Sequence, residues 1–289
     1  MTELLKNERN HFLIQFEEHL EHYLNKNLGH HNLHAPLMNE SISYSLKSNG
    51  KRFRPFLAYL IFKLGIKEQS LLFTWALAIE FIHTYSLIHD DLPCMDNDDY
   101  RRGLLTNHKV YGDDVALLAG DSLISEAFRV LAEDEKLSAG TRIALIQLLA
   151  QKIGPAGMVG GQSLDMKASD KIDFEQLKTI HLLKTSYLIQ AAATGAAIIQ
   201  EMKKSDIAAV SDFSLHLGMA FQIKDDLLDY KSAEQDFKSY PHLLGKENTQ
   251  AELLKHSNAA LEKLKCVEGT STSSAPLIQL IQYNLERES

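Results

Sequence analysis

Apolar residues recur at three- and four-residue spacing along almost the whole chain, and no stretch alternates apolar and polar residues as a half-buried strand would. That periodicity confines the chain to an all-α architecture. Helices are predicted over 4–26, 38–48, 52–64, 69–92, 105–133, 140–153, 156–167, 173–200, 203–229, 248–265 and 275–287. In the first, Phe12, Ile14, Phe16, Leu20 and Tyr23 lie on or around one apolar stripe. Leu28 to Pro36 reads as a loop, and its His30, His31 and His34 fit an exposed turn better than a metal site. Gly269 to Pro276 reads as another loop. With 289 residues, 45% of them hydrophobic, 6 prolines and no linker in the middle, a single domain over 1–289 is expected.

Two acidic clusters stand out against this apolar background. Asp90-Asp91-Leu-Pro-Cys-Met-Asp96 follows Leu87-Ile-His, and Asp225-Asp226-Leu-Leu-Asp229 follows Phe221-Gln-Ile, a setting unlike that of solvated surface charge. Asp225 and Asp229 are four apart, so on a helix they differ by about 40° and share a face. Asp90 and Asp96 are six apart, about 240° on an unbroken helix. Pro93 between them breaks the helix and lets both carboxylates enter one cavity. Opposed carboxylates with basic residues nearby suit divalent ions that hold a diphosphate.

Charge and cysteine content narrow the classes further. A net charge of −8 argues against a nucleic-acid surface, so an anionic substrate must be gathered by local Lys and Arg. Two cysteines, Cys94 and Cys266, form neither a metal spacing nor a disulfide framework. The first residues are too charged for a signal peptide, and no apolar run is expected to span a membrane. A cytoplasmic setting without stable membrane insertion is the resulting expectation.

The stretch from His83 to Gly103 resembles the first aspartate-rich motif of the trans-polyprenyl diphosphate synthases, in the form with two extra residues carried by bacterial farnesyl diphosphate synthases. Asn49-Gly-Lys-Arg-Phe-Arg-Pro55 resembles the family's Gly-Gly-Lys-Arg-x-Arg-Pro element, and Gly160-Gly-Gln-Ser-Leu-Asp165 its Gly-Gly-Gln-x-x-Asp. His181-Leu-Leu-Lys-Thr185 and Phe221 to Asp229 resemble the lysine-threonine element and the second aspartate-rich motif. The matches keep the family's order over about 190 residues.

The resemblance implies the isoprenoid synthase fold, a helical bundle around a deep cavity. It also implies condensation of isopentenyl diphosphate with allylic diphosphates, ending at farnesyl diphosphate. Mg2+ is the implied cofactor, three ions per site with Mn2+ as an alternative, held by Asp90 and Asp96, with Asp91 in support, and by Asp225 and Asp229. Arg101 and Lys184 match positions that contact the allylic diphosphate. Lys51, Arg54, His83 and Arg102 match the metal-free site for isopentenyl diphosphate. Thr185 and Gln222 offer oxygens to a carbocation, and Lys224 adds charge at the diphosphate end. Gln162 and Asp165 can line that end or serve as capping or core hydrogen-bond partners. Gly50 allows close approach at a turn, and Asn49, in place of the family's first glycine, tolerates positive φ. Tyr85, five residues before Asp90, is the expected floor of the tunnel and sets a fifteen-carbon product. The family implies a homodimer.

The sequence departs from the family after Asp229, where only Lys231 to Phe237 separates Tyr230 from Lys238-Ser-Tyr-Pro241. Lys238 stands one residue short of the usual offset from Tyr240, as a substitute for the later lysine of that loop. Ser186-Tyr187, in place of Gly-Ala, is expected to add bulk near Thr185. A geranylgeranyl diphosphate synthase and a non-catalytic partner subunit are the alternatives. A terpene cyclase has no use for Lys51, Arg54 and His83.

Overall fold

The computed structural model describes residues 1–28, 35–169, 171–230, 237–268 and 274–288. His30, His31 and His34, and the two segments 231–236 and 269–273, lie outside the described residues. The elements in order are α1 (Glu3–Tyr23), α2 (Pro36–Lys47), α3 (Phe53–Phe62), α4 (Phe73–Asp90), β1 (Tyr100–Arg101), β2 (Leu104–Leu105), α5 (Asn107–Tyr111) and α6 (Asp113–Glu133). They continue with α7 (Ala139–Ile153), α8 (Met158–Lys167), α9 (Phe174–His181), α10 (Tyr187–Ile199), α11 (Lys204–Asp229), α12 (Tyr240–Leu244), α13 (Lys246–Lys265) and α14 (Ala275–Glu286). The all-α expectation holds.

Side-chain size explains the tight centre of the bundle. α10 is rich in alanine, so α3 and α11 approach it closely, and Trp75 of α4 lies where a Cβ on Gly195 would sit 2.2 Å away. The indole Nε1 donates to the Ala192 carbonyl at 2.9 Å, which satisfies the one polar atom of a fully buried ring. Local signals start the helices where expected: Thr2 and Ser138 accept from the backbone three residues on, and Asp173 with Gln176 forms a capping box. α11 spans two apolar clusters. Its Val210 and Phe213 belong to the main core with α1, α3, α4 and α10, and its Met219 and Ile223 to a second core with α9, α12 and α13.

The structure corrects several expectations. Ile14 is 65% exposed and lies off the stripe formed by Phe12, Phe16, Leu20 and Tyr23. The segment 105–133 is two helices, preceded by a hairpin whose strands, β1 and β2, are too short to alternate detectably. The helix over 173–200 is interrupted by a π turn at Leu182–Ser186, and the short α12 has no counterpart among the predicted elements. Gln69–Asp90, Ala139–Lys167 and Phe174–Ile199 are long and apolar enough to cross a membrane, contrary to expectation. In the first and third, 72% and 67% of the apolar window is already buried within the protein, which accounts for their hydropathy; in Ala139–Lys167 the share is 28%.

Candidate active site

Two cavities adjoin at the end of the bundle where the acidic clusters emerge, one of about 980 Å³ and one of about 600 Å³. Arg54, His83, Leu87 and Thr185 line both.

The larger cavity gathers Lys51, Arg54, Arg101 and Arg102, with Asp225 the one carboxylate in its described lining. Backbone geometry aims these side chains. Arg102 (φ 55°) and Gly103 (φ 82°) form the two-residue turn of the β1–β2 hairpin, in which both positions have positive φ. The strained conformation at Arg102 carries its guanidinium over Gly50, where a Cβ would lie 2.7 Å from Nη1. Gly50 is thus needed for close approach, as expected. The positive φ of that segment lies at Arg52 (48°), not at Asn49. Arg52 turns away into the core and pairs with Glu80 at 2.6 Å and Glu17 at 3.2 Å, which anchors the start of α3.

His83 is half-buried, and its Nε2 lies 3.2 Å from Arg54 Nη1. Burial first, then the neighbouring arginines, push the imidazole well below its ordinary range, so it is neutral and Nε2 accepts from the guanidinium. Burial also lowers Arg54, to about 10, and its Nε has no partner among the described residues. The lining is therefore rich in donors that suit an anion, with more positive than negative side chains.

The smaller cavity is mostly apolar, with Tyr85, Met95, Met158, Met166 and Leu188 in its walls and Asp90 and Lys184 at its polar end. α4 ends at Asp90, and the turn through Pro93 returns the chain so that the Asp96 amide donates to the Asp90 carbonyl at 2.9 Å. The expected break at Pro93 thus returns the Asp96 backbone to the end of α4, although Asp96 is exposed and lines neither cavity. Burial raises Asp90 to about 6; Lys184 opposes this, and Asp96 and Asp91 add to it. Asp91 points elsewhere: it is buried and accepts from Arg101 Nε at 2.5 Å, which fixes that arginine beside the site.

Asp225 and Asp229 share the last turn of α11, and burial followed by Asp229 raises Asp225 against the lowering effect of Arg287. Among the described residues no three His, Cys, Asp or Glu side chains form a ready metal cage. Mg2+ takes one or two carboxylates and fills its remaining positions with water and substrate phosphates. Carboxylates held up by burial and mutual repulsion are those a divalent cation relieves, so the donor set fits the implied ion.

The π turn at Leu182–Ser186 presents Lys184 and Thr185. It is clamped from two sides: a Cβ on Gly161 would meet Lys184 N at 2.5 Å, and one on Gly218 would meet Ser186 Cα at 2.8 Å. Lys184 donates to Asp165 at 2.6 Å, and Lys238 reaches the other oxygen of the same carboxylate at 3.1 Å. Burial pushes Asp165 up, but the two ammonium groups outweigh it and hold the carboxyl below its ordinary range. Lys238 is thereby delivered beside Lys184 despite its offset. Gln162 lines the same cavity, and both ends of its buried amide lack a partner among the described residues.

Thr185 donates to Gln222 at 2.8 Å, and Gln222 donates to Asp226 at 3.1 Å. Asp226 also accepts the buried Tyr240 amide at 2.9 Å, which ties α12 to the site after the shortened segment. Lys224 is not gathered: it donates to the Leu285 carbonyl at 2.9 Å and lines neither cavity. Tyr187 adds no bulk at Thr185, because its ring packs under Lys152 Nζ at 4.0 Å. Arg287 gave no signal in sequence, since an arginine at the end of an amphipathic helix reads as surface charge. It is 7% exposed and contacts Asp225 at 2.6 Å.

Residues 35–240 match the family model described as Polyprenyl synthetase. The chain belongs to that family. It is 38% identical over 259 residues to the farnesyl diphosphate synthase of Geobacillus stearothermophilus, covering 84% of this chain and 87% of the relative. It is 40% identical over 267 residues to geranylgeranyl pyrophosphate synthase 7 of Arabidopsis thaliana, covering 87% and 76%. Its structure matches that of a geranyltransferase from Legionella pneumophila with a TM-score of 0.89 and 35% identity, covering 98% and 97%.

Proposed function

We propose that the chain acts as one polyprenyl synthase domain over 1–289, a Mg2+-dependent transferase that joins isopentenyl diphosphate head-to-tail to dimethylallyl and geranyl diphosphates and stops at farnesyl diphosphate. The observation that carries this reading is the pair of adjoining cavities, one lined by cations and one mostly apolar with Asp90 and Lys184 at its polar end. A reaction between two diphosphates, of which only one is cleaved, needs both kinds of pocket.

Lys51, Arg54, Arg102 and neutral His83 grip the diphosphate that stays intact. Asp90, Asp96, Asp225 and Asp229 are the residues that hold Mg2+, with Arg101 fixed by Asp91 at their side. When bound, the ions neutralise the charge that develops on the departing diphosphate. Lys184 and Lys238, aligned by Asp165, add donors to the leaving group. Thr185 and Gln222 turn oxygens toward the allylic cation, and the apolar walls exclude water that would capture it. The diphosphate released from the allylic substrate takes the electron pair of the broken C–O bond, the double bond of isopentenyl diphosphate supplies the pair for the new C–C bond, and the condensed cation passes a proton to the released diphosphate to restore a double bond.

The name of the plant relative supports a twenty-carbon alternative; Tyr85, buried in the wall of the apolar cavity, supports fifteen carbons. Exposed Leu117 and Leu118 on α6 and Ile143 on α7 support a homodimer, and two free, exposed cysteines support a reducing, cytoplasmic setting. The test is incubation of purified protein with Mg2+, isopentenyl diphosphate and starters of five, ten or fifteen carbons, followed by chromatography of the products. A dominant fifteen-carbon product is expected from the first two starters. A dominant twenty-carbon product refutes the length assignment, and no turnover with any starter favours a partner subunit.

A further inference from the structure

Arg287 occupies the boundary between the cation-lined cavity and the second acidic cluster. Its Nη2 contacts Asp225 Oδ1 at 2.6 Å and donates to the Phe221 carbonyl at 3.0 Å, while Nε donates to Asn284 Oδ1 at 3.0 Å. The guanidinium carbon lies 4.5 Å from the Phe221 ring centre, and that ring stacks on Phe53 at 4.7 Å. Only 4% of the Arg287 side chain is exposed, against 32% for Asp225. This is a built contact, unlike a surface ion pair between long mobile chains.

The contact uses a carboxylate that the proposed reaction assigns to metal. Arg287, Asp225 and Asn284 line the same cavity as Lys51, Arg54 and Arg102. Two buried donors there, Arg54 Nε and Asn284 Nδ2, lack a partner among the described residues. Asp225 is the one carboxylate in the described lining and offsets part of the repulsion among the cations. A diphosphate in the cavity changes the balance, because a guanidinium fork gains more from a doubly charged phosphate than from one carboxylate. A divalent ion at Asp225 changes it in the same sense, by repelling the guanidinium.

We propose that Arg287 couples the two diphosphate sites: it holds Asp225 in the empty protein and moves to the diphosphate of the metal-free cavity, releasing Asp225 to metal. This inference rests on the functional reading above. Linkage makes the coupling reciprocal, so isopentenyl diphosphate tightens metal binding as much as metal tightens isopentenyl diphosphate. The C-terminal helix α14 thereby prevents the metal wall from completing before the acceptor is in place.

The test is Mn2+ binding followed by the electron spin resonance signal of free Mn2+, with and without saturating isopentenyl diphosphate and no allylic substrate. Binding of isopentenyl diphosphate is measured separately by calorimetry without metal. In the wild type, isopentenyl diphosphate is expected to lower the Mn2+ Kd about tenfold. In Arg287→Gln, Mn2+ is expected to bind more tightly than in the wild type without the diphosphate, and the diphosphate-induced change is expected to shrink below twofold. Arg287→Lys, which keeps the charge without the fork, is expected to retain an intermediate shift and to serve if the Gln variant does not fold. An unmoved Mn2+ Kd in the wild type, or a full shift in both variants, overturns the coupling while leaving the functional reading intact. Failure of the wild type to bind isopentenyl diphosphate at all overturns the functional reading and the coupling with it.

Discussion

Replacing Tyr85 with alanine tests the floor of the apolar cavity. Tyr85 is 5% exposed, and its ring meets His89 edge-on at a centroid distance of 5.7 Å and 75°. His89 is itself fixed, with Nε2 at 3.0 Å from the Leu117 carbonyl and held against Gly120, where a Cβ would lie 2.1 Å away. The wall behind the tyrosine is therefore rigid, and the space gained is the volume of the phenol. A growing chain that fills this space with one more isoprene unit buries five carbons at ~0.8 kcal/mol each, about 4 kcal/mol in total. That is roughly a thousandfold in preference for further elongation. The same deletion destabilises the free protein by about 3–5 kcal/mol, the range for losing a buried aromatic, and bound product offsets much of this. The assay is product chain length by liquid chromatography with mass detection, alongside thermal unfolding with and without product. The expected outcome is a shift from fifteen to twenty carbons or more. A folded, active Tyr85→Ala that still stops at fifteen carbons refutes the floor argument.

Three further outcomes follow from specific contacts. Gly50→Ala places a methyl 2.7 Å from Arg102 Nη1 without demanding positive φ, so the guanidinium moves and the fold does not; steady-state kinetics should show KM for isopentenyl diphosphate raised about tenfold, the equivalent of one weakened charge-assisted hydrogen bond, with kcat nearly unchanged. Asp226→Ala strands the buried Tyr240 amide and the Gln222 amide, and denaturant unfolding should report a loss of about 2–4 kcal/mol. His256, with His216 on α11 at 3.0 Å and Glu252, Lys255, Lys178, Asp212 and Lys263 around the pair, is lowered by burial to about 4. The unfolded chain takes up that proton first on acidification, so stability is full above about 6.5 and is lost as pH falls toward about 4, by about 2 kcal/mol after allowance for partial solvent contact. Urea titrations of His256→Gln between pH 7 and 4.5 should show a flatter loss, and an unchanged slope contradicts the assignment.

Most helices were legible in the sequence because helical periodicity and capping rest on local rules. Periodicity located most of the longer helices to within a few residues but merged α5 with α6 and missed α12, and Pro93 announced the break that brings the Asp96 amide back to the Asp90 carbonyl. Features that depend on contacts distant in sequence were not legible. Lys224 carries the same charge as Lys184, but its helical direction sends it to the Leu285 carbonyl 61 residues away. Arg287 reaches Asp225 because α14 packs on α11, a pairing that no local pattern records. The hairpin holding Arg102 escaped notice because two-residue strands leave no alternation to read, and Arg102-Gly103 is not a usual turn pair. Asp91 is expected to support the metal from its place in the acidic run, yet its carboxylate is taken by Arg101.

The central claim is that carboxylates from α4 and α11 hold Mg2+ on a shared allylic diphosphate. The most direct measurement is a crystal structure with Mg2+ and a non-cleavable allylic diphosphate analogue. The account predicts ions bridging the diphosphate to Asp90 and Asp96 on one side and to Asp225 on the other. Analogue bound without ions, or with ions on one acidic cluster alone, contradicts it.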